Sequence, residues 1–149
     1  MRRRDNSEAA RALFADVLSA RGLAHERDDN APVDVLWRIP VQRGLSVPMT
    51  FGLQNADELN LGIGEFWSYL FPFEKAQADF RRLALGFIDG RCRVCAWRRR
   101  GVLYKRTLAE PAGDGWRVAY TDFTRPLPVL FGAKSVDYIT NTAAAGGNV

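Results

Sequence analysis

The sequence predicts an α+β fold: an antiparallel sheet of about six strands in the order α-βββ-α-βββ, with two amphipathic helices packed on one face. Three observations predict it. Two segments repeat their apolar residues at helical spacing, six segments read as strands, and the connectors between strands are too short for crossover helices. A chain of 149 residues with 47% hydrophobic and 26% charged residues suits one domain that buries its core without staples. Residues 1–141 are assigned to that domain and residues 142–149 to a mobile C-terminal tail with little to bury.

The first helix is expected over about residues 6–21. Asp5-Asn6-Ser7-Glu8 has the form of a capping box, Ala10, Leu13, Phe14, Val17 and Leu18 form one stripe, and Gly22 suits a left-handed stop. The polar stretch HERDDNAP (25–32) reads as a loop. In Val33 to Val41, Leu45 to Gln54 and Glu58 to Gly64, apolar residues alternate with polar ones, as in a sheet with one buried face. The connectors QRG and NAD favour hairpins, and Pro48, which cannot donate to a ladder, belongs at an edge or a bulge. The aromatic segment EFWSYLFPF leads into a second helix. Pro72 stands in its first turn, Phe73, Ala76, Phe80, Leu83 and Phe87 form its buried stripe, and Gly90 ends it. Strands are expected again at 91–98, 102–108 and 116–121, with the loop EPAGDG between the last two; KSVDYI (134–139) fits a short helix or a strand. Trp37, Phe51, Leu61, Phe80 and Phe87 are the expected core.

At the level of element order, the chain resembles the type III secretion chaperone-like fold. The rival helix-grip fold requires a long C-terminal helix that this sequence lacks. Trp37-Arg38 is echoed by Trp97-Arg98, and Phe66 by Phe123, as a loose internal duplication would produce.

No apolar run approaches the roughly 20 residues of a membrane span. The basic opening MRRR is followed by Asp5, Glu8, Arg11 and Asp16 rather than by an apolar centre, so the N-terminus reads as a retained helix and the compartment as cytoplasmic. The net charge is +4, yet residues 91–106 alone carry seven basic and no acidic residues, leaving −3 on the other 133. The basicity is therefore local, unlike the spread positive face of a dedicated DNA binder.

That stretch, RCRVCAWRRRGVLYKR, carries the main functional hint. Cys92 and Cys95 lack the further ligands a structural zinc needs, since the only other Cys or His is His25. Residues three apart in a strand point to opposite faces, so the pair reads as structural thiols. Arg91, Arg93, Trp97 and Arg99 are expected on one strand face opposite Cys92, Val94 and Ala96. Arg98, Arg99 and Arg100 with Gly101 should form the exposed tip, and Tyr104, Lys105 and Arg106 belong to the returning strand. Such a ribbon could neutralise phosphates and stack bases, or its arginines could simply blunt an exposed hairpin. The aromatic run Phe66, Trp67, Tyr69, Phe71, Phe73 fits core, an apolar pocket or a partner patch. Around His25, Glu26, Asp28 and Asp29 could hold a metal, though loop polarity needs no ligand to explain it. No nucleophile elbow, phosphate loop, dinucleotide fingerprint or zinc-protease motif is present, and the pairs Asp57 with Glu58 and Glu65 with Glu74 read as turn and cap residues. The expectation is a non-catalytic binding module, with no metal or cofactor, that recognises a protein partner or a second copy of itself. Single-stranded nucleic acid, through residues 91–106, and a small apolar ligand are the alternatives.

Overall fold

The computed structural model describes residues 5–124 and 131–144. Arg2, Arg3, Arg4 and residues 145–149 of the expected tail lie outside the described residues. Two helices, α1 (Ser7–Ser19) and α2 (Phe73–Ile88), accompany two antiparallel sheets rather than one. The first sheet runs β1 (Glu26–Arg27), β2 (Val35–Ile39), β3 (Met49–Gln54), β4 (Glu58–Ile63), β5 (Phe66–Trp67) in spatial order. The second contains β6 (Arg93–Arg99), β7 (Val102–Ala112), β8 (Gly115–Phe123) and β9 (Lys134–Ile139), ordered β8-β7-β6-β9.

A single six-stranded sheet fails for a specific reason. The free edge of β4 is taken by the aromatic segment that follows it, with Gly62 opposite Trp67, Ile63 opposite Phe66 and a bridge from Leu59 to Leu70. With that edge used, the later strands form their own sheet. It meets the first through side chains: Asp122 accepts from the Trp67 N–H at 3.1 Å, and the Tyr120 hydroxyl accepts from the Tyr69 N–H at 3.2 Å.

In the first sheet Trp37, Phe51 and Leu61 lie side by side in register on the face under the helices. Phe14 of α1 and Phe80 of α2 close over them; Phe14, Phe51 and Phe80 form a triangle of rings with centroids 5.0–5.5 Å apart. All five expected core residues are buried. The helices thus cover one face of the five-stranded sheet, while Cys92, Val94 and Leu108 of the second half join the same core.

Both helices start at one turn. Asn6, the residue before α1, donates from Nδ2 to the Ala56 carbonyl at 2.7 Å, and Asp57 accepts from the first amide of α2, Phe73 N–H, at 3.1 Å. Helix α1 thus begins one residue after Asn6, and Asp5 holds the Ser7 amide at 2.9 Å in place of the expected capping box. Asn55 and Ala56 take positive φ in this turn, and the Ala56 amide is fixed by Asp34 at 2.7 Å.

Four further sequence expectations are refined. The loop predicted at 25–32 contributes β1, paired with β2. KSVDYI is a strand, pairing with β6 from Val94 to Arg99. The loop EPAGDG shrinks to a two-residue turn at Gly113–Asp114, because the buried Glu110 lies opposite Arg117, and the ion pair between them extends the ladder. The expected tail starts within the described residues: Thr142 N–H bonds Ser46 Oγ at 2.9 Å, and Ala144 is buried. The duplicated positions differ in environment, since Phe66 is buried and Phe123 is 69% exposed.

Candidate functional site

The register of the second sheet sorts its side chains onto two faces. Paired residues share a face, so Arg93, Cys95 and Trp97 on β6 lie with Ala109, Thr107 and Lys105 on β7, Tyr138 and Val136 on β9, and Val118, Thr121 and Phe123 on β8. Trp116, opposite Pro111, completes this outer face. The other, inner face turns Val94 and Leu108 into the core.

The outer face is not covered by any described helix or strand. Trp116, Val118, Phe123 and Tyr138 are between 48% and 69% exposed. The register puts Arg93, Arg99, Lys105 and Lys134 on it, while the strands' carboxylates Glu110, Asp122 and Asp137 fall on the inner side. The Arg93 guanidinium carbon stands 3.9 Å from the Trp116 ring centroid and 4.0 Å from that of Tyr138. The Lys105 amine lies 5.4 Å from the Trp97 ring, whose indole N–H is held by Thr107 at 3.0 Å.

The nine residues singled out from the sequence therefore separate. Arg93, Trp97 and Lys105 share the outer face with Arg99. A bulge between Trp97 and Arg98 leaves Tyr104 outside the direct pairing, and Tyr104 is buried. Arg98 and Arg106 turn instead to the inner side, where each meets a carboxylate: Arg98 pairs with Asp137, and Arg106 with Glu65 at 2.7 Å. Arg91 precedes the strand and pairs with Asp89 at 3.3 Å. Arg100 and Gly101, both at positive φ, make the two-residue hairpin turn. The Arg100 amide bonds the Ala133 carbonyl at 3.1 Å, so the tip is tied down on one side. Trp116, Val118, Phe123 and Tyr138 were missed because they come from strands remote in sequence. Period-two alternation in GWRVAY was the available signal, but it reads the same for a buried face and an open one.

The remaining candidates are engaged in structure. His25 stacks on Trp37 at 4.1 Å, and Asp28 pairs with Arg38. Among the described residues no group of three or more His, Cys, Asp or Glu is placed to hold a metal ion. Cys92 belongs to the core, while Cys95 lies in the outer-face register, and both thiols are free. Burial, and secondarily the charge of Glu110, pushes the Cys92 thiol up to about 11, so it stays protonated at neutral pH. Burial raises the Glu110 carboxyl, but hydrogen bonds from Arg117 and Arg82 outweigh it and hold the group below its ordinary value.

Between the two sheets Ile63, Phe66, Val94, Leu103, Arg98 and Arg106 line a cleft of about 180 Å³. Ligand pockets for drug-sized molecules span roughly 300–1,000 Å³. Its two arginines already have carboxylate partners. The aromatic run divides as well: Phe66 and Phe73 are core, while Tyr69 and Phe71 are exposed.

Fold and face together define a two-sheet α+β protein with an aromatic sheet face that no described helix or strand covers and no described strand carboxylate shares, and no described helix is long and apolar enough to cross a membrane. No protein-family model matches this sequence, and neither the curated proteins nor the solved structures compared with it include a significant match.

Proposed function

We propose that this protein is a non-catalytic interaction module that binds a protein partner through the outer face of the β8-β7-β6-β9 sheet. The supporting observation is the exposure of Trp116, Val118, Phe123 and Tyr138 on one sheet face with no described element over them. Contiguous exposed apolar surface marks interaction sites, and Trp, Tyr and Arg are the side chains that dominate interface energetics. Aliphatic groups such as Val118 contribute to a protein contact and add nothing to base stacking.

Single-stranded nucleic acid is the second reading, favoured by cations and aromatic rings sharing a face that lacks carboxylates. Two features weigh against it. Arg98 and Arg106 pair with Asp137 and Glu65, and Arg91 shares Asp89 with Arg21, which offsets part of the positive charge of the basic stretch. Trp116 and Tyr138 each already present a ring face to Arg93.

The test is selection of displayed peptides on the immobilised protein, followed by binding to a Val118→Asp, Phe123→Asp variant whose melting temperature matches the parent. Selected peptides should lose affinity for the variant by about tenfold or more, the scale of burying a charge at an apolar contact. Undiminished binding sinks the reading. Tight binding of labelled oligothymidine, with affinity falling steeply with salt, replaces it with the nucleic-acid reading.

A further inference from the structure

We propose that Arg93, held against Trp116 and Tyr138, anchors this surface by taking a carboxylate of the partner (an Asp or Glu side group or a terminal carboxylate) set among apolar groups. The inference rests on the protein-binding reading and names the chemistry at its centre.

The geometry around Arg93 differs from that of its neighbours. Arg91, Arg98, Arg106 and Arg117 each reach a carboxylate of the same molecule. Among the described residues Arg93 makes no hydrogen bond and no ion pair; its contacts are the two rings, near 4 Å on each. Its Nε is shielded from solvent without an acceptor, and it is the sole buried side-chain nitrogen or oxygen among the described residues in that condition. Buried polar groups are rarely left so. The two terminal nitrogens, equally unbonded, are not buried to that extent and remain as a fork of unused donors.

Such a fork is organised in advance. Holding an arginine in one rotamer costs about 2 kcal/mol of entropy, and here the rings of Trp116 from β8 and Tyr138 from β9 do that before any partner arrives. They also displace water from the faces of the guanidinium, which strengthens a charge-assisted bond made in its plane. The planar fork matches a carboxylate through two parallel hydrogen bonds, which an ammonium cannot reproduce.

The surroundings select the source of the oxyanion. No carboxylate of the sheet strands shares the face, and Lys105 and Lys134 add positive potential, so an acidic partner is attracted and a basic one repelled. Around the fork lie Val118 and the exposed portions of Trp116 and Tyr138. That setting suits one charge framed by apolar side chains. A nucleic-acid strand would bring one phosphate per nucleotide and would need open ring faces, of which Arg93 has taken two.

The probes are N-acetyl-Leu-Glu-Leu-amide, its Gln counterpart and inorganic phosphate, titrated into nitrogen-15-labelled protein while the Arg93 side-chain N–H resonances are followed. The Glu peptide should shift them saturably and bind about tenfold more tightly than the Gln peptide, as loss of a charge-assisted pair implies. Arg93→Lys, which keeps the charge and stem, should abolish that preference, and Trp116→Ala should weaken it. Each variant is first checked for an unchanged amide spectrum away from the site. Equal binding of Glu and Gln peptides overturns the anchor; if Val118→Asp still abolishes both, the protein-binding reading survives its loss. Binding indifferent to every outer-face change overturns both. Phosphate shifting Arg93 more strongly than the Glu peptide assigns the fork to a phosphate ligand instead. A Glu peptide that shifts Arg98 or Arg106 and leaves Arg93 unmoved places the site in the inner cleft.

Discussion

Cys92 has its sulfur packed so closely on α2 that a Cβ at Gly86 would stand 2.4 Å from Sγ, which explains why residue 86 is a glycine. The thiol is buried in the core beside the Arg82–Glu110 pair, and its pKa rises from 9.0 to about 11. A protonated thiol is a poor nucleophile. Native protein at pH 8 should therefore leave Cys92 unmodified by iodoacetamide over a period in which the urea-unfolded chain reacts fully, as mass mapping would reveal. Rapid native modification would show that Cys92 is not held as described. The linkage has a definite sign. A pKa raised by folding adds stability that is complete below about pH 9 and is lost as pH climbs towards 11. The sequence placed Cys92 and Cys95 in one strand, but only Cys95 lies in β6; Cys92 precedes it, its amide bonded to the Gly86 carbonyl at the end of α2. The environment of Arg93 was not legible, since Trp116 and Tyr138 reach it from strands that follow by 23 and 45 positions.

At the level of elements, alternation identified β2, β3, β4 and the cores of β6, β7 and β8, since burying one face imposes period two on whatever strand carries it. Alternation says nothing about which strand lies beside which. The split into two sheets depends on residues 66–70 taking the β4 edge, and that segment (FWSYL) has only one small polar residue among three aromatics and a leucine, so no period of two shows. Helix starts were only half visible for a related reason. The acceptor for the first α2 amide is Asp57, sixteen residues earlier, in the same turn whose Ala56 carbonyl receives Asn6. Local capping patterns cannot reveal a remote cap. Asp57→Ala should cost about 1 kcal/mol, the usual effect of losing an N-terminal cap, measured as a shift in urea midpoint at constant slope. An effect below a few tenths would mean that the Phe73 amide finds another acceptor.

The whole molecule coheres through two devices: one aromatic core and one buried polar joint. Asn141, 3% exposed, donates to the carbonyls of Gly44 at 2.9 Å and Ile88 at 2.6 Å and accepts from the Ser46 amide at 2.9 Å. It thereby fastens the exit of β9 to the β2–β3 loop and to the end of α2, with both its amide nitrogen and its amide oxygen engaged. Phe80 stands at the centre of the other device, fully buried, touching Phe14 of α1 and Phe51 of β3. Three elements converge on that ring, so relaxation cannot close the void left by removing it. Phe80→Ala should cost about 3–5 kcal/mol, which for a protein of this size lowers the melting temperature by roughly 10 °C or more. Because Val94 and Leu108 of the second sheet join the core that Phe80 fills, tryptophans of both halves should report the loss together. Trp37 and Trp116 fluorescence, each read in a variant retaining that tryptophan alone, should give coincident midpoints. A large shift for Trp37 with Trp116 unmoved would mean that the second sheet folds independently of the helical layer, and the shared core would not be the unit that sets stability.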